Sequence, residues 1–326
     1  MVSLRDIGKK VGCTASVVSA VLNESKNGIG ASVKTRSLIR KAAKELGYVP
    51  NRMARGLRLS HNYLIGVMAS NLTASFVPEI LSGIETYCLK SKYGVLLGEY
   101  QNDEQLKERW EGFIKRGVDG IICLGNISRY SDMASKYDSV KCVYVGNNSE
   151  AQSIGGIVQV DRNSVVNLGV KTFAEHGHRH VGYLTLYPLE MCGLWHEELL
   201  KHNMEPGPIV SCYNNYEYAF VKVMAMLKNH PELTGIFADS DLLGGTVIAA
   251  ARELGRLEGL SVLGIDDTVL CRLCYPKLAS IKQPRREQGE KAAEILLDML
   301  EGGEPQNVVL SASVVLRESM KTIVAE

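Results

Sequence analysis

Three stretches of this chain bring together side chains that could do chemistry, and their spacing tells them apart. His176-x-His178-x-His180 and Cys271-x-x-Cys274 hold groups of metal-ligating or redox-active type. Metal donors must converge on one centre, and Gly177 breaks any helix that would align the imidazoles. Gly177-His-Arg179 reads instead as a turn before a strand, and the cysteine pair has no second pair at zinc-site spacing. The acidic residues stand near no phosphate loop, dinucleotide fingerprint or Gly-x-Ser-x-Gly elbow. The sequence therefore implies no enzyme, no cofactor and no metal site. The third stretch is of another kind: Thr14-Ala-Ser-Val-Val-Ser-Ala-Val-Leu-Asn23, with Arg52, Arg55 and Arg58 further on. Small hydroxyls, amides and guanidiniums presented from helices bind phosphate oxygens and base edges, so its chemistry is nucleic-acid recognition.

Helices to present these groups are written into the flanking pattern. Leu4, Ile7 and Val11 recur at helical spacing behind a Ser3/Asp6 capping box, and Gly12 stops that helix. Thr14 caps a second helix, whose Val18, Val21 and Leu22 form an apolar stripe and turn Ala15, Ser16, Ser19 and Ala20 outward. Two short helices about a glycine turn make a helix-turn-helix. A third helix comes next, capped by Ser32, with Ile39, Ala42, Ala43 and Leu46 on one face and Gly47 at its end. Charge agrees. Residues 1–60 hold twelve of the 37 Lys and Arg but only three of the 36 acidic residues, so a basic head sits on an acidic body.

Beyond the head, residues 50–61 read as a joint, with Pro50 closing the preceding segment and Arg52, Arg55 and Arg58 falling three apart. From Leu64 buried strand patterns alternate with helical ones: strands at 64–69, 95–97, 120–124, 142–145, 181–184, 209–211, 235–238 and 260–263. Helices are expected at 77–91, 103–116, 164–176, 195–203, 217–228 and 241–254. Such alternation implies an α/β class with parallel sheets covered by helices, here in two series, with a ligand cleft at the carboxyl ends of the strands.

Several ordered motifs resemble the LacI/GalR family of bacterial transcription regulators. They are Leu4-Arg-Asp-Ile7, Val18-Ser-x-Val-Leu-Asn23, Leu46-Gly-Tyr-x-Pro-Asn51, Ala54-Arg-x-Leu57, Gly117-Val-Asp-Gly-Ile-Ile122, Gly177-His-Arg179, Phe237-Ala-x-x-Asp241, Gly264-Ile-Asp-Asp267, Lys282-Gln-Pro284 and Arg317-Glu-Ser319. The resemblance spans nearly the whole chain. It implies a helix-turn-helix domain over 1–49, a hinge helix over 50–61 and a two-lobed, periplasmic-binding-protein-like core over 62–326. The lobes would be discontinuous, one at about 62–160 and 285–310, the other at about 161–284 and 311–326. Base edges would be met by Ala15, Ser16 and Ala20, and the DNA backbone by Thr14, Ser19, Asn23, Thr35, Tyr48 and Asn51. Arg55 belongs to the hinge, and Leu57 would wedge into the minor groove. The family's recognition-helix Arg is replaced by Ala20, so a bidentate guanine contact is missing.

Effector contacts implied by the resemblance fall on Phe76, Asn126, Arg162, Trp195, Asp241 and Asp266. Each has a plainer reading beside it. Asp241 is equally a helix cap, Trp195 packs the helix it begins, and Asp266 holds the Gly264–Asp267 turn. Two departures stand out: Gly146 where the family often has Asp, and a shortened Leu186–Trp195 segment lacking the family's Arg.

The reading is of a cytoplasmic homodimeric regulator, a repressor, that binds a palindromic double-stranded operator and answers to a small effector, a carbohydrate. A regulator of the same fold controlled by a protein partner is the alternative. A transport-type sugar-binding protein would need a signal peptide and no basic head. Eight scattered cysteines suit a reducing compartment, and no apolar run approaches the ~20 residues of a membrane span.

Overall fold

The computed structural model describes residues 2–22, 31–48, 61–125, 128–137, 140–146, 155–186, 188–213 and 215–323, with backbone alone at 128, 129, 131 and 188–192. The chain divides into two units, Met1–Asn62 and Tyr63–Glu326.

In the first unit, α1 (Leu4–Val11), α2 (Ala15–Leu22) and α3 (Val33–Glu45) form where the apolar spacing put them. Ser3 and Asp6 make the reciprocal capping box: Ser3 N donates to Asp6 Oδ2 at 2.9 Å and Asp6 N to Ser3 Oγ at 3.3 Å. The Ser3 hydroxyl and then its backbone N–H hold the Asp6 carboxyl below its ordinary value. The turn into α2 requires two glycines. Gly12 sits at φ 78°, and a Cβ on Gly8 would lie 2.5 Å from the Cys13 carbonyl. Ile7, Val18, Val21, Ile39, Ala42 and Ala43 close the core.

The second unit runs β1 (Leu64–Ala69), α4 (Val77–Lys90), β2 (Gly94–Glu99), α5 (Asp103–Lys115), β3 (Gly120–Leu124), α6 (Ser128–Lys136), β4 (Lys141–Val145) and β5 (Gly156–Val160). Then come α7 (Arg162–Glu175), β6 (His180–Thr185), α8 (Pro188–Lys201), β7 (Glu205–Ser211), α9 (Tyr216–Asn229), β8 (Gly235–Ala238), α10 (Asp241–Glu253) and β9 (Ser261–Ile265). It ends with α11 (Leu270–Leu273), β10 (Ala279–Lys282), α12 (Arg285–Leu300), β11 (Asn307–Leu310) and β12 (Ser313–Val315). One sheet has the order β11-β5-β4-β3-β1-β2, the other β12-β10-β9-β8-β6-β7. The chain thus passes from one lobe to the other after Val160, after Lys282 and after Leu310.

The all-parallel expectation needs correcting at one edge, where β12 lies antiparallel to β10 with Ile281 opposite Val314. A strand arriving on a short connection from the neighbouring lobe has no crossover helix to reverse its direction. The helix expected at 195–203 instead starts at Pro188, whose ring suits a first helical turn.

α12 is sequence-distant from lobe 1 yet carries its core, with Ala292, Ala293, Ile295 and Leu296 buried against Ile80, Ile84 and Val143. It lies backbone to backbone on α4. A Cβ on Gly289 would stand 2.0 Å from the Ile80 carbonyl, and one on Gly83 would stand 2.1 Å from that of Arg286. In lobe 2, Tyr183, Trp195 and Phe237 stack with centroids 4.9 to 5.6 Å apart. His178 is buried at the far end of that sheet, Nδ1 on Thr234 Oγ1 at 2.9 Å and Nε2 on the Lys321 carbonyl at 3.0 Å, and so ties down the C-terminal segment. Among the described residues no helix is long and apolar enough to cross a membrane.

Gly289→Ala should lower the stability of the core by about 2–3 kcal/mol, because backbone atoms rather than a flexible side chain block the new methyl. Gly193→Ala, with open space around it, should be neutral or stabilising; thermal unfolding of the pair checks this. A second expectation concerns acid. Burial draws the His178 pKa below its ordinary value of 6.5. The unfolded chain then takes a proton that the folded one resists, so this stability is present above pH 6.5 and is lost as pH falls below it. The fall in Tm between pH 7 and pH 5 should be smaller in His178→Gln than in the wild type.

Candidate functional site

α2 is held between α1 and α3, and its packed face is broader than its three-residue stripe. Ser16 is exposed, while Ala15 and Ala20 are half-buried. Ser19 departs from expectation: it is 8% exposed, at the edge of the face that α2 packs, so its placement as an outward, backbone-contacting residue is corrected. Thr14 Oγ1 accepts from Val17 N at 3.4 Å, and so caps the helix that bears Ser16. Thr35 stands in the first turn of α3, with its Oγ1 2.9 Å from the Ser32 hydroxyl. Tyr48 packs half-buried on the head core and donates its backbone N–H to the Ala43 carbonyl at 2.9 Å. Arg5, Lys9, Lys10, Lys34, Arg36, Arg40, Lys41 and Lys44 are all exposed. Asn23, Asn51, Arg55 and Leu57 lie outside the described residues.

In the core, parallel strands bring their carboxyl ends to one edge of each sheet, and polar side chains gather there. Asp239, just past β8, accepts from Tyr183 Oη at 2.5 Å on Oδ1, and from Thr185 Oγ1 and Leu186 N at 2.9 Å on Oδ2. Arg162, the first residue of α7, is near enough to act on the Tyr183 hydroxyl. Burial and then the Asp239 carboxylate push that hydroxyl's pKa well up. Asp239 was hidden in the sequence as a spacer in the Phe237-Ala-x-x-Asp241 motif.

Asp241, expected at the effector, is 1% exposed and fully engaged. Ser280 Oγ donates to its Oδ1 and Thr268 N to its Oδ2, both at 2.6 Å. It is not the helix cap either, since Ser240 Oγ accepts from Leu243 N at 3.3 Å. Asp241 therefore fastens the start of α10 to the loop after β9 and to β10; desolvation raises its pKa. Trp195 is likewise corrected. It is 0% exposed, mid-helix, between Tyr183 and Phe237, so it has no face to offer a sugar. Asn126 lies outside the described residues.

Asp266 and Phe76 do come together, through a residue that no motif marks in the sequence. Arg285, next after Lys282-Gln-Pro284, donates Nε at 3.1 Å and Nη2 at 2.5 Å to Asp266 Oδ1. Gln283 Nε2 adds a third donor to the same oxygen at 3.2 Å. The Arg285 guanidinium carbon lies 4.7 Å from the centroid of the Phe76 ring. Asp266 Oδ2 accepts no hydrogen bond from the described residues. Asp266 is held at φ 104° by its own N–H on the Ile281 carbonyl at 2.9 Å.

The Gly146 departure has a steric cause: a Cβ there would meet the Gly125 carbonyl at 2.2 Å, so the close approach of two strand ends admits no side chain. The three histidines serve three places, His176 on the Thr172 carbonyl, His178 in the core and His180 beside Glu205. Burial pushes the Cys271 thiol far up, and among the described residues no three His, Cys, Asp or Glu side chains converge as a metal site.

Comparison with known proteins agrees with this anatomy. Residues 3–51 match the family described as bacterial regulatory proteins, lacI family, and residues 170–320 match a periplasmic binding protein-like domain. The ribose operon repressor of Haemophilus influenzae is 26% identical over 337 residues, covering 99% of this chain and 100% of the relative. The Lac repressor dimer bound to operator and the anti-inducer ONPF superposes with a TM-score of 0.86 at 24% identity, over 98% of this chain and 99% of that one. The regulator CelR in complex with cellobiose gives 0.71 at 24% identity, over 98% and 100%. The chain belongs to the LacI family of bacterial regulatory proteins: it is a DNA-binding transcriptional repressor with an effector-binding core of periplasmic-binding-protein-like fold.

Proposed function

We propose that this repressor acts in the cytoplasm as a homodimer on a palindromic operator, and that a small carbohydrate bound between the core lobes sets its operator affinity. One observation carries the effector half: at the carboxyl end of β9, Asp266 offers an oxygen that meets no donor among the described residues, and Arg285 links it to the aromatic Phe76. Sugars are bound by such pairs, a carboxylate for hydroxyls and a ring for the apolar face. The relatives' names support the class, a ribose operon repressor and a cellobiose complex. A second reading, control by a protein partner over a degenerate cleft, draws on the same region: Trp195 is buried, Gly146 has no room for a side chain, and Arg285 already covers Phe76.

On the DNA side, Thr14, Ala15, Ser16, Ala20, Asn23, Thr35, Tyr48, Asn51, Arg55 and Leu57 are the proposed contacts. Exposed cations supply affinity without a guanine-reading Arg, so log K should fall by about 0.9 per phosphate contacted for each unit of log salt. Ala20→Arg should raise affinity for half-sites with guanine opposite residue 20 by about 1–3 kcal/mol. Fluorescence anisotropy across a half-site library measures it, and a strong guanine preference already present in the wild type would sink the assignment of the reading face.

For the cleft, a thermal-shift screen with D-ribose, cellobiose and sugar phosphates comes first. Asp266→Asn, tolerated at positive φ, should still form the operator complex and lose the response to whichever sugar stabilises the wild type. A lowered Tm with the response retained would reduce Asp266 to a turn residue. No stabilising sugar in the screen would favour the partner-controlled reading.

A further inference from the structure

Arg285 stands where the chain re-enters lobe 1 after its second crossing. It opens α12, whose body is bound into lobe 1 against α4. Its guanidinium points the other way. Nε and Nη2 both reach Asp266 Oδ1, on the loop after β9 of lobe 2, at 3.1 and 2.5 Å. Nη1 is braced on Gln288 Oε1 at 3.2 Å, one turn along α12. The guanidinium carbon lies over the ring of Phe76, the residue before α4 in lobe 1, 4.7 Å from its centroid. One side chain therefore grips both lobes, Asp266 through its N–H groups and Phe76 through a cation–π contact.

Burial makes this grip matter. The Arg285 and Asp266 side chains are 15% and 6% exposed, so solvent screens the pair poorly and losing either partner strands a charge in a dry place. Exposed pairs elsewhere, such as Lys171–Glu175 at 55% and 61%, lack that consequence. The contacts are also exclusive. The Asp266 oxygen that Arg285 and Gln283 fill is closed to a ligand hydroxyl, and the Phe76 face under the guanidinium is closed to a sugar ring.

We propose that Arg285 is a strut joining the two lobes of the repressor core, and that it occupies the seat between Asp266 and Phe76. An effector that needs the Phe76 face or Asp266 Oδ1 has to displace it; one that reaches only Oδ2 leaves it in place. Arg285 is thereby a specificity-determining residue of the cleft. That consequence rests on the carbohydrate reading above, whereas the strut stands without it.

The test needs no effector. Spin labels carried by non-canonical residues at positions 107 on α5 and 228 on α9, both exposed, report the distance between lobes in the full-length protein by pulsed electron paramagnetic resonance. Arg285→Met should broaden the distance distribution, Asp266→Asn should broaden it equally, and the double variant should go no further than either. Arg285→Lys should fall between Met and the wild type. An unchanged distribution in Arg285→Met with only a lowered Tm would make the residue a local packing contact and overturn the strut. Additive broadening in the double variant would overturn the pairing. Should Arg285→Met not fold, Arg285→Lys and Phe76→Leu carry the same comparison. The specificity role has its own readout: for a sugar that stabilises the wild type, Arg285→Met should shift the half-saturating concentration at least fivefold. An unmoved midpoint would remove that role while leaving the strut intact.

Discussion

Parallel strand pairing is the constraint on which the core depends. Each parallel pair needs a crossover, and the crossovers deliver every parallel strand's carboxyl end to the same edge of its sheet. The edge of the second sheet therefore collects Thr185 from β6, Asp239 from after β8 and Asp266 from after β9, though they are up to 81 residues apart in sequence. The helix that completes lobe 1, α12, arrives only after the second lobe has been built. Its seat on α4 is possible because Gly83 and Gly289 let the two backbones touch. That is why Arg285, the first residue of that helix, lies at the frontier: the rest of α12 anchors it in lobe 1, and its side chain is free to reach back toward lobe 2.

Carboxylates at that edge have divided their work by burial and by the number of donors they meet. Asp241 meets a hydroxyl and a backbone N–H, one on each oxygen, and is closed to solvent. Asp239 takes two hydroxyls and a backbone N–H. Asp267 is claimed by Arg317 at 2.5 Å and by the more distant Arg272 at 3.7 Å. Asp266 differs in kind, since its three donors crowd one oxygen. A carboxylate saturated on both oxygens holds a fold together, and one saturated on a single oxygen is oriented and still able to accept.

Much of this was legible in the chain itself, for identifiable reasons. The head announced itself because caps, glycine stops and apolar spacing all act within a dozen residues, and Ser3, Gly12, Ser32 and Gly47 do what local chemistry asks of them. The core strands were legible because parallel strands buried on both faces are continuous apolar runs. Residues whose environment depends on distant partners were not. Ser19 turned inward because two helices, not one, pack on α2. Trp195 vanished into a stack with Tyr183 and Phe237, 12 and 42 residues away. β12 broke the parallel rule because its connection is short. Arg285 gave no local signal at all, since the same residue opening any helix would be read as a solvated cation.

The energetics of the cleft depend on the occupancy of its seat. A ligand shifts a conformational equilibrium only by the difference between its affinities for the two states. If the bound state requires Arg285 to leave Asp266 and Phe76, the loss of those contacts is subtracted from the ligand's gross binding energy, and the part recovered from new contacts to both lobes appears as coupling. Coupling in linked sites is typically ~1–3 kcal/mol, the same order as a hydrogen bond to a charged group, about 1.5–3 kcal/mol. One partly buried, charge-assisted contact is thus large enough to set a threshold between ligands that shift the equilibrium and ligands that merely fit. On the proposed strut, selectivity would come from the contacts a ligand must replace, since the guanidinium fills Asp266 Oδ1 and lies over Phe76.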